Sequence, residues 1–236
     1  MAVVSSRARP IVALDVATKR AALGLVTELG DLCGFYKIGG ELFTAEGPSI
    51  VTAVQEMGAS VFLDLKLHDI PNTVRGAVRS AARLGVRLLT VHAQGGRPMM
   101  EAAVAAVREE NSDCEIFAVT ILTSMDSDSV SSVWGRPVKG LETEVLRLAG
   151  LARDAGADGV VCSGQEALAV QREFGPSFGT LVPGVRLPSV GHQDQARVVT
   201  PREAATAGAR YIVIGRTVTM AESPRGAMAA VLADLP

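Results

Sequence analysis

The sequence predicts a single-domain (β/α)8 barrel, the TIM-barrel fold, from two observations. Short, almost wholly apolar segments alternate along the chain with segments whose apolar residues recur at helical spacing. Eight such pairs follow one another, and eight strand–helix units close into a barrel with a parallel sheet. The chain has 236 residues, 48% of them hydrophobic, which is enough to bury one core of this size.

The predicted strands are short and uniformly apolar, as expected of a parallel sheet that is covered on its outer side. They span residues 11–16, 33–39, 61–67, 87–92, 115–122, 158–162, 180–185 and 211–215. Helical spacing and helix-forming composition predict the segments 18–29, 48–57, 71–84, 98–110, 141–155, 165–174, 201–207 and 227–235. Pro71 suits a first helical turn, and the polar segment 123–129 is predicted to be a loop.

An open doubly wound sheet is the competing fold. It is disfavoured because the chain reads Asp-Val-Ala-Thr-Lys from Asp15 onward, without the glycine-rich turn that binds dinucleotides. Nothing resembles a linker or a repeat, so residues 1–236 are predicted to form one domain. Residues 1–9 are predicted to be a short tail rather than a signal peptide. No apolar stretch reaches membrane-spanning length, so we expect a soluble, cytoplasmic protein with no membrane partner.

Composition argues against nucleic acid and metal as partners. The net charge is −2, the pI is about 6.0 and only 4% of residues are aromatic, so neither a basic face nor a stacking platform is evident. Three scattered cysteines suit reduced thiols. The histidines are isolated as well, so we expect no metal site and no cofactor.

Polar residues recur where the predicted strands end, which is where barrels of this class place their active sites. Strand ends are often polar, but so many around one rim favour a shared ligand pocket. These residues are Asp15, Lys37, Asp64, Lys66, His92, Thr123, Ser163, Arg186 and Arg216. Among them, His92 is predicted to be structural.

The segment 61–73 carries the most specific pattern. Asp64 and Lys66 are two residues apart, so on a strand they share a face, whereas His68 points away and Asp69 lies beyond the strand end. Charges at the end of an apolar strand are costly unless they are paired or used in chemistry. A structural ion pair is the simpler interpretation of a lone Asp-x-Lys.

A phosphate site is predicted in the loops after strands seven and eight, the usual phosphate cradle of this fold. Both loops carry a Gly/Arg pattern, Pro-Gly-Val-Arg186 and Ile-Gly215-Arg216-Thr. Glycine lets backbone N–H groups approach an anion, and arginine can bind phosphate with two parallel hydrogen bonds. The alternative is a pair of surface arginines beside turns. The segment 187–195 is predicted to be a lid.

The full string Asp64-x-Lys66-x-x-Asp69-Ile-Pro-Asn-Thr73 resembles the signature of the orotidine 5′-phosphate decarboxylases. The resemblance extends from residue 11 to 220. It includes Val-Ala-Leu-Asp15, Tyr-Lys37-Ile-Gly, Leu-Thr123-Ser, Pro-Gly-Val-Arg186, Gln195-Ala-Arg-Val-Val-Thr-Pro and Ile-Gly215-Arg216.

The resemblance implies cofactor-free decarboxylation of orotidine monophosphate to uridine monophosphate and CO₂, by a homodimer with shared active sites. It makes Lys66 the catalytic lysine in a tetrad completed by Lys37, Asp64 and Asp69. It makes Asp69 and Thr73 contributions from the partner subunit. The implied substrate contacts are Asp15 and Thr73 with the ribose, Thr123 with the pyrimidine, and Arg186, Gln195, Gly215 and Arg216 with the phosphate. Gln193 is an alternative to Gln195, which is preferred for its spacing to the segment 197–201.

Two other functions stay open. One is a metal-dependent sugar-phosphate decarboxylase or aldolase on the same barrel. The resemblance implies an acidic metal ligand in the second strand of such enzymes, where this chain has Lys37, which would repel Mg²⁺. The other is a nucleotide-binding barrel without catalysis, which would not need Lys66 between two aspartates.

Overall fold

The computed structural model describes residues 8–187 and 198–236, and within them eight parallel strands close into a barrel. Each strand pairs with the next along the chain, and β8 pairs with β1. The strands are β1 (Arg9–Ala13), β2 (Phe35–Gly39), β3 (Ser60–Leu67), β4 (Leu88–His92), β5 (Glu115–Val119), β6 (Gly159–Val161), β7 (Gly179–Val182) and β8 (Tyr211–Ile214). The predicted (β/α)8 barrel is confirmed.

Helices connect successive strands and surround the barrel. They are α1 (Lys19–Leu29), α2 (Gly40–Glu46), α3 (Ser49–Glu56), α4 (Pro71–Arg83), α5 (Gly96–Glu109), α6 (Ser127–Trp134), α7 (Leu141–Asp154), α8 (Gly164–Phe174), α9 (Pro201–Thr206), α10 (Arg216–Thr219) and α11 (Pro224–Asp234). Short 3₁₀ turns cover Gly30–Leu32 and Ala93–Gly95. In the part of the chain that the structure describes, no helix is both long and apolar enough to cross a membrane.

The prediction of a loop over 123–129 was wrong from residue 127 onward. Asp126 caps α6 by accepting the N–H of Ser129 at 2.8 Å, and serines at a helix start read as loop residues when the cap is overlooked. The short helices α2 and α10 were also not predicted. Their few residues carry too little periodicity to stand out.

Several predicted strands extend too far at their carboxyl ends. Pairing stops at Val119 in β5 and at Val182 in β7, whereas 122 and 185 were the predicted ends. The apolar residues beyond, such as Ile121 and Val185, line the cavity at the barrel mouth instead of continuing the strand. At the amino end, residues 1–7 of the predicted tail lie outside the described residues, and Arg9 already belongs to β1.

Two cores stabilise the barrel. The larger one lies between the strands and the helices. The smaller one fills the barrel interior and consists of Ile11, Ala13, Phe35, Phe62, Leu88, Phe117, Val119, Val161, Leu181, Tyr211 and Val213. Because side chains alternate along a strand, the residue two positions after an interior one faces the barrel axis again, nearer the mouth. The interior core therefore sets which side chains reach the carboxyl end.

Candidate active site

A cavity of about 530 Å³ opens at the carboxyl ends of the strands, within the size range of small-ligand sites. Its floor is the upper layer of the interior core, including Ala13, Phe62, Val161 and Leu181. Charged and polar side chains form its walls: Asp15, Lys37, Asp64, Lys66, Thr123, Arg186, Arg216, Thr217 and Thr219. The cavity combines an apolar base with a polar rim.

Strand alternation explains how the first charged side chains reach this cavity. Asp15 follows Ala13 by two residues, Lys37 follows Phe35, and Asp64 follows Phe62. Each charged residue is thus the next inward-facing position above an interior apolar one. The barrel delivers three charges from three neighbouring strands to one wall.

These side chains form a continuous chain of alternating charge. Lys37 Nζ lies 2.8 Å from Asp15 Oδ1 and 3.7 Å from Asp64 Oδ2. Lys66 Nζ lies 2.7 Å from the same Asp64 Oδ2. The side chains of Lys37 and Asp64 are each only 11% exposed, so their mutual attraction is weakly screened by water, whereas Lys66 is 39% exposed and faces the cavity. Lys66 is therefore both held by Asp64 and open to a ligand.

The backbone at Lys66 departs from a regular strand. Its φ is +49°, in the left-handed region that residues with a side chain seldom adopt. The register of β3 against β4 shifts at the same place, because Leu63 pairs with Leu89 and Leu67 with Val91. Asp64 and Lys66 were predicted to share one face of β3, and their side chains are in contact. The strand between them is irregular, however, so regular alternation alone does not account for the contact.

Asp69 and Thr73 do not line this cavity in the described part of the chain. Asp69 accepts the N–H of Ile70 at 2.6 Å and borders a shallow depression on the outside of the barrel mouth. Ile70, which is 66% exposed, lies in the same depression, and Thr73 is exposed in the first turn of α4. Within one chain, the structure brings together three of the four residues assigned to the tetrad.

The two predicted phosphate loops lie side by side at the cavity, after β7 and β8, and β8 is the strand that pairs with β1. Gly184 and Arg186 follow β7, while Gly215 and Arg216 follow β8, and all four line the cavity. Arg186 N–H donates to the carbonyl of Val199 at 3.0 Å, which ties the loop to the segment before α9. Gln195, its alternative Gln193 and residues 188–195 of the predicted lid lie outside the described residues.

His92 and Ser163, two of the predicted rim residues, are not among the described residues that line the cavity. Ser163 is fully buried and caps α8 reciprocally with Glu166. The ring of His92 lies 5.4 Å from that of His68. Burial lowers the pKa of His92, and the neighbouring His68 and Lys66 lower it further, while Asp64 raises it. Ser163 therefore serves as a helix cap, and His92 packs beside His68.

Thr90 contacts the charged array and was missed in the sequence. It follows the interior residue Leu88 by two positions, so alternation places it on the inner face. Alternation thus predicts that Thr90 faces inward, but the sequence alone does not show which charged side chains lie next to its hydroxyl. Among the described residues, no group of three or more His, Cys, Asp or Glu side chains could hold a metal ion.

The comparisons with known proteins agree with this geometry. Residues 8–231 match the family model described as orotidine 5′-phosphate decarboxylase / HUMPS family. The chain is 48% identical over 230 residues to the orotidine 5′-phosphate decarboxylase of Moorella thermoacetica, covering 95% of this chain and 91% of that one. It is 46% identical over 231 residues to the enzyme of the same name from Nitrosococcus oceani, covering 97% and 98%.

Solved structures give the same picture. The orotidine 5′-phosphate decarboxylase of Lactobacillus acidophilus superposes with a TM-score of 0.85 at 34% identity, covering 97% of this chain and 99% of that chain. A protein of Geobacillus kaustophilus described as an uncharacterized conserved protein superposes with a TM-score of 0.82 at 39% identity, covering 95% and 99%.

Proposed function

The chain belongs to the orotidine 5′-phosphate decarboxylase / HUMPS family, and we infer from this that it is an orotidine 5′-phosphate decarboxylase, a carboxy-lyase. We propose that it acts in the cytoplasm in pyrimidine nucleotide synthesis. The observation that carries the chemistry is the unbroken Asp15–Lys37–Asp64–Lys66 array at the mouth of the cavity.

Lys66 is proposed as the group that makes decarboxylation possible. When the bond between C6 of the pyrimidine and its carboxylate breaks, CO₂ leaves and the electron pair stays in an in-plane orbital on C6. The ring cannot delocalise that pair. An ammonium beside C6 stabilises the developing charge and then transfers one proton to it, which yields uridine monophosphate.

Asp64 and Lys37 hold this ammonium in place. Asp64 Oδ2 contacts Lys66 Nζ at 2.7 Å, and Lys37 Nζ lies 3.7 Å from the same oxygen. Fixed, poorly solvated charges stabilise a transition state at little reorganisation cost. Asp64 next to the substrate carboxylate would also disfavour the ground state by like-charge repulsion, and this repulsion ends when CO₂ departs.

The loops after β7 and β8 are proposed to bind the nucleotide. The loops with Arg186 and with Gly215 and Arg216 line the cavity and offer cationic side chains and glycine backbone for the phosphate. Gln195 is also proposed to contact the phosphate. Asp15 is proposed to bind the ribose, and Thr123 the pyrimidine. Binding energy from a phosphate remote from the reacting carbon can be used to align the ring against Lys66.

The enzyme is proposed to work as a homodimer whose active sites are shared. The support is the position of Asp69 and Thr73 outside the cavity of their own chain, beside the exposed Ile70. In a two-fold dimer each subunit can offer this surface to the cavity of the other. Asp69 of one subunit would then complete the array around Lys66 of its partner.

No cofactor is proposed. Lys37 lies in the second strand, at the position where the rival sugar-phosphate enzymes would need an acidic ligand for a divalent cation, and its ammonium would repel that cation. A non-catalytic nucleotide-binding barrel has no use for a partly exposed lysine held by a buried carboxylate, because placing such charges costs desolvation energy.

An assay that monitors the consumption of orotidine monophosphate by its ultraviolet absorbance, with and without EDTA, tests this function. We expect conversion to uridine monophosphate with one CO₂ per nucleotide, at the same rate in both conditions. Activity that EDTA abolishes and Mg²⁺ restores would instead favour the metal-dependent rival. Binding of orotidine monophosphate without turnover would favour the non-catalytic barrel.

A further inference from the structure

Thr90 lies in the middle of β4, next to the irregular end of β3. Its side chain is fully buried, and it is not among the described residues that line the substrate cavity. It therefore has no direct access to a bound nucleotide. Its hydroxyl nevertheless contacts both charged residues of β3, Asp64 and Lys66.

The hydrogen bonds of this hydroxyl have a defined direction. An ionised carboxylate can only accept, so Thr90 Oγ1 donates its one hydrogen to Asp64 Oδ1, 2.8 Å away. Its lone pairs remain free to accept the backbone N–H of Lys66 at 3.0 Å. One oxygen atom thus bridges the Asp64 side chain and the Lys66 main chain.

Both contacts fall where the strand most needs support. The N–H of Lys66 donates to a side chain instead of a main-chain carbonyl, at the point where β3 shifts register against β4. The positive φ of Lys66 persists only if its surroundings hold it. On the carboxylate, Thr90 takes Oδ1 and leaves Oδ2 to face Lys66 and Lys37.

We propose that Thr90 is a positioning residue for decarboxylation. It orients the Asp64 carboxylate towards the two ammonium groups and holds the Lys66 backbone in the bulge that aims its side chain into the cavity. This inference rests on the proposed function, since it concerns the step in which Lys66 stabilises charge on C6. Without the hydroxyl, Asp64 can rotate and Lys66 can relax to ordinary strand geometry, although the nucleotide-binding walls are unchanged.

The substitution Thr90→Val tests the proposal, because valine keeps the shape and removes the hydroxyl. We expect kcat to fall by roughly tenfold to a hundredfold, the usual effect of a small misplacement of catalytic groups. The KM for orotidine monophosphate and the affinity for uridine monophosphate should stay near wild type. Thr90→Ser, which restores the hydroxyl, should recover most of kcat.

Thr180→Val is the matched control. Thr180 is also a fully buried strand threonine, and its hydroxyl donates to the carbonyl of Gly208 at 3.3 Å, away from the charged array. This variant should keep wild-type kcat even where its melting temperature falls. Should Thr90→Val not fold, Thr90→Ala removes the same hydroxyl and takes its place in the comparison.

Three results would overturn the proposal. They are an unchanged kcat in Thr90→Val, an equal loss in Thr180→Val, and a Thr90→Ser variant as impaired as Thr90→Val. Each is measured against an active wild type. A wild-type protein that does not decarboxylate orotidine monophosphate would contradict the proposed function instead, so the two failures are distinguishable.

Discussion

Lys66 Nζ lies 2.7 Å from Asp64 Oδ2, although the two residues are separated along β3 by one residue only and the strand between them is irregular. A salt bridge this close at the mouth of an apolar cavity is costly to desolvate. It is kept in place by Lys37 on one side of the carboxylate and by Thr90 on the other. We interpret this arrangement as a preorganised catalytic charge rather than a structural ion pair, because Lys66 remains open to the cavity.

Removing the guanidinium of Arg216 should weaken nucleotide binding. We expect Arg216→Ala to lower kcat/KM by the equivalent of about 2–5 kcal/mol, the usual cost of removing one partner from a desolvated charge pair. Steady-state kinetics with orotidine monophosphate measures this. Arg202→Ala is the control, since Arg202 pairs with Asp234 on the outer helices. Equal kinetics in both variants would place Arg216 outside the phosphate site.

Asp69 is predicted to serve the active site of the neighbouring subunit. Lys66→Ala and Asp69→Ala should each be nearly inactive alone, because each removes one member of a unit. When they are mixed and subunits exchange, about half the dimers are hybrids with one intact site each, so activity should recover towards about one quarter of wild type.

Verified subunit exchange without any recovery would mean that Asp69 acts within its own chain. A mixture of Lys66→Ala with Lys37→Ala is the control for this experiment. Both residues lie on the same wall of one cavity, so every hybrid site lacks one of them and no recovery is expected.

Gly39 has no side chain, and we predict that this leaves room for the Lys37–Asp15 ion pair beside it. A Cβ at this position would lie 3.1 Å from Lys37 Nζ and 3.3 Å from Asp15 Oδ1, closer than ordinary contact allows. The backbone itself accepts alanine, with φ −91° and ψ −178°. Gly39→Ala should therefore shift the pair and lower kcat/KM by about tenfold or more.

The neighbouring substitution Gly40→Ala is a matched control for Gly39→Ala. A Cβ on Gly40 meets no atom within 4 Å, and the residue begins α2, where alanine is favoured. Its kinetics should equal wild type. A Gly39→Ala variant as active as Gly40→Ala would show that the Lys37–Asp15 geometry tolerates displacement.

The pKa of His92, lowered by burial, predicts an acid-sensitive contribution to stability. In the unfolded chain a histidine titrates near its model value of 6.5, so below that pH the unfolded state binds a proton that folded His92 still resists. The free energy of unfolding should therefore fall as the pH drops from about 6.5 towards the folded pKa. Above 6.5 His92 is neutral in both states, and the protein keeps its full stability with respect to this residue.

Urea unfolding of wild type and His92→Asn between pH 5 and pH 8 measures this effect, over about one and a half pH units on either side of the unfolded pKa. The variant should show a flatter dependence on the acid side. Parallel curves would mean that His92 titrates alike in both states.

The fold and most of the cavity could be predicted from the sequence because their signals are local. Apolar strands and helical periodicity set the barrel, and the strand-end positions of Asp15, Lys37 and Asp64 follow from alternation. Ser163 and His92 also lie at strand ends, but neither is among the described residues that line the cavity, and His92 was predicted to be structural. A serine at a strand end is equally well placed to cap the next helix, as Ser163 does.

What the sequence could not predict depends on contacts between strands. The left-handed backbone of Lys66 arises from the register shift between β3 and β4, and Thr90 matters only because that shift brings its hydroxyl to Lys66 and Asp64. The Asp126 cap of α6 is a local feature, but in the sequence its serines and aspartates resemble a polar loop. The direction of a side chain along one strand can be predicted from that segment alone, whereas the register depends on two strands together.

The rate of CO₂ release from orotidine monophosphate by EDTA-treated wild type and by Lys66→Ala, both saturated with substrate, tests the central claim most directly. We predict one CO₂ per uridine monophosphate formed by wild type, and a rate lower by roughly four orders of magnitude or more in Lys66→Ala. Uridine monophosphate should still bind the variant, since the phosphate loops are intact. A Lys66→Ala variant that releases CO₂ at a rate close to wild type would contradict the account.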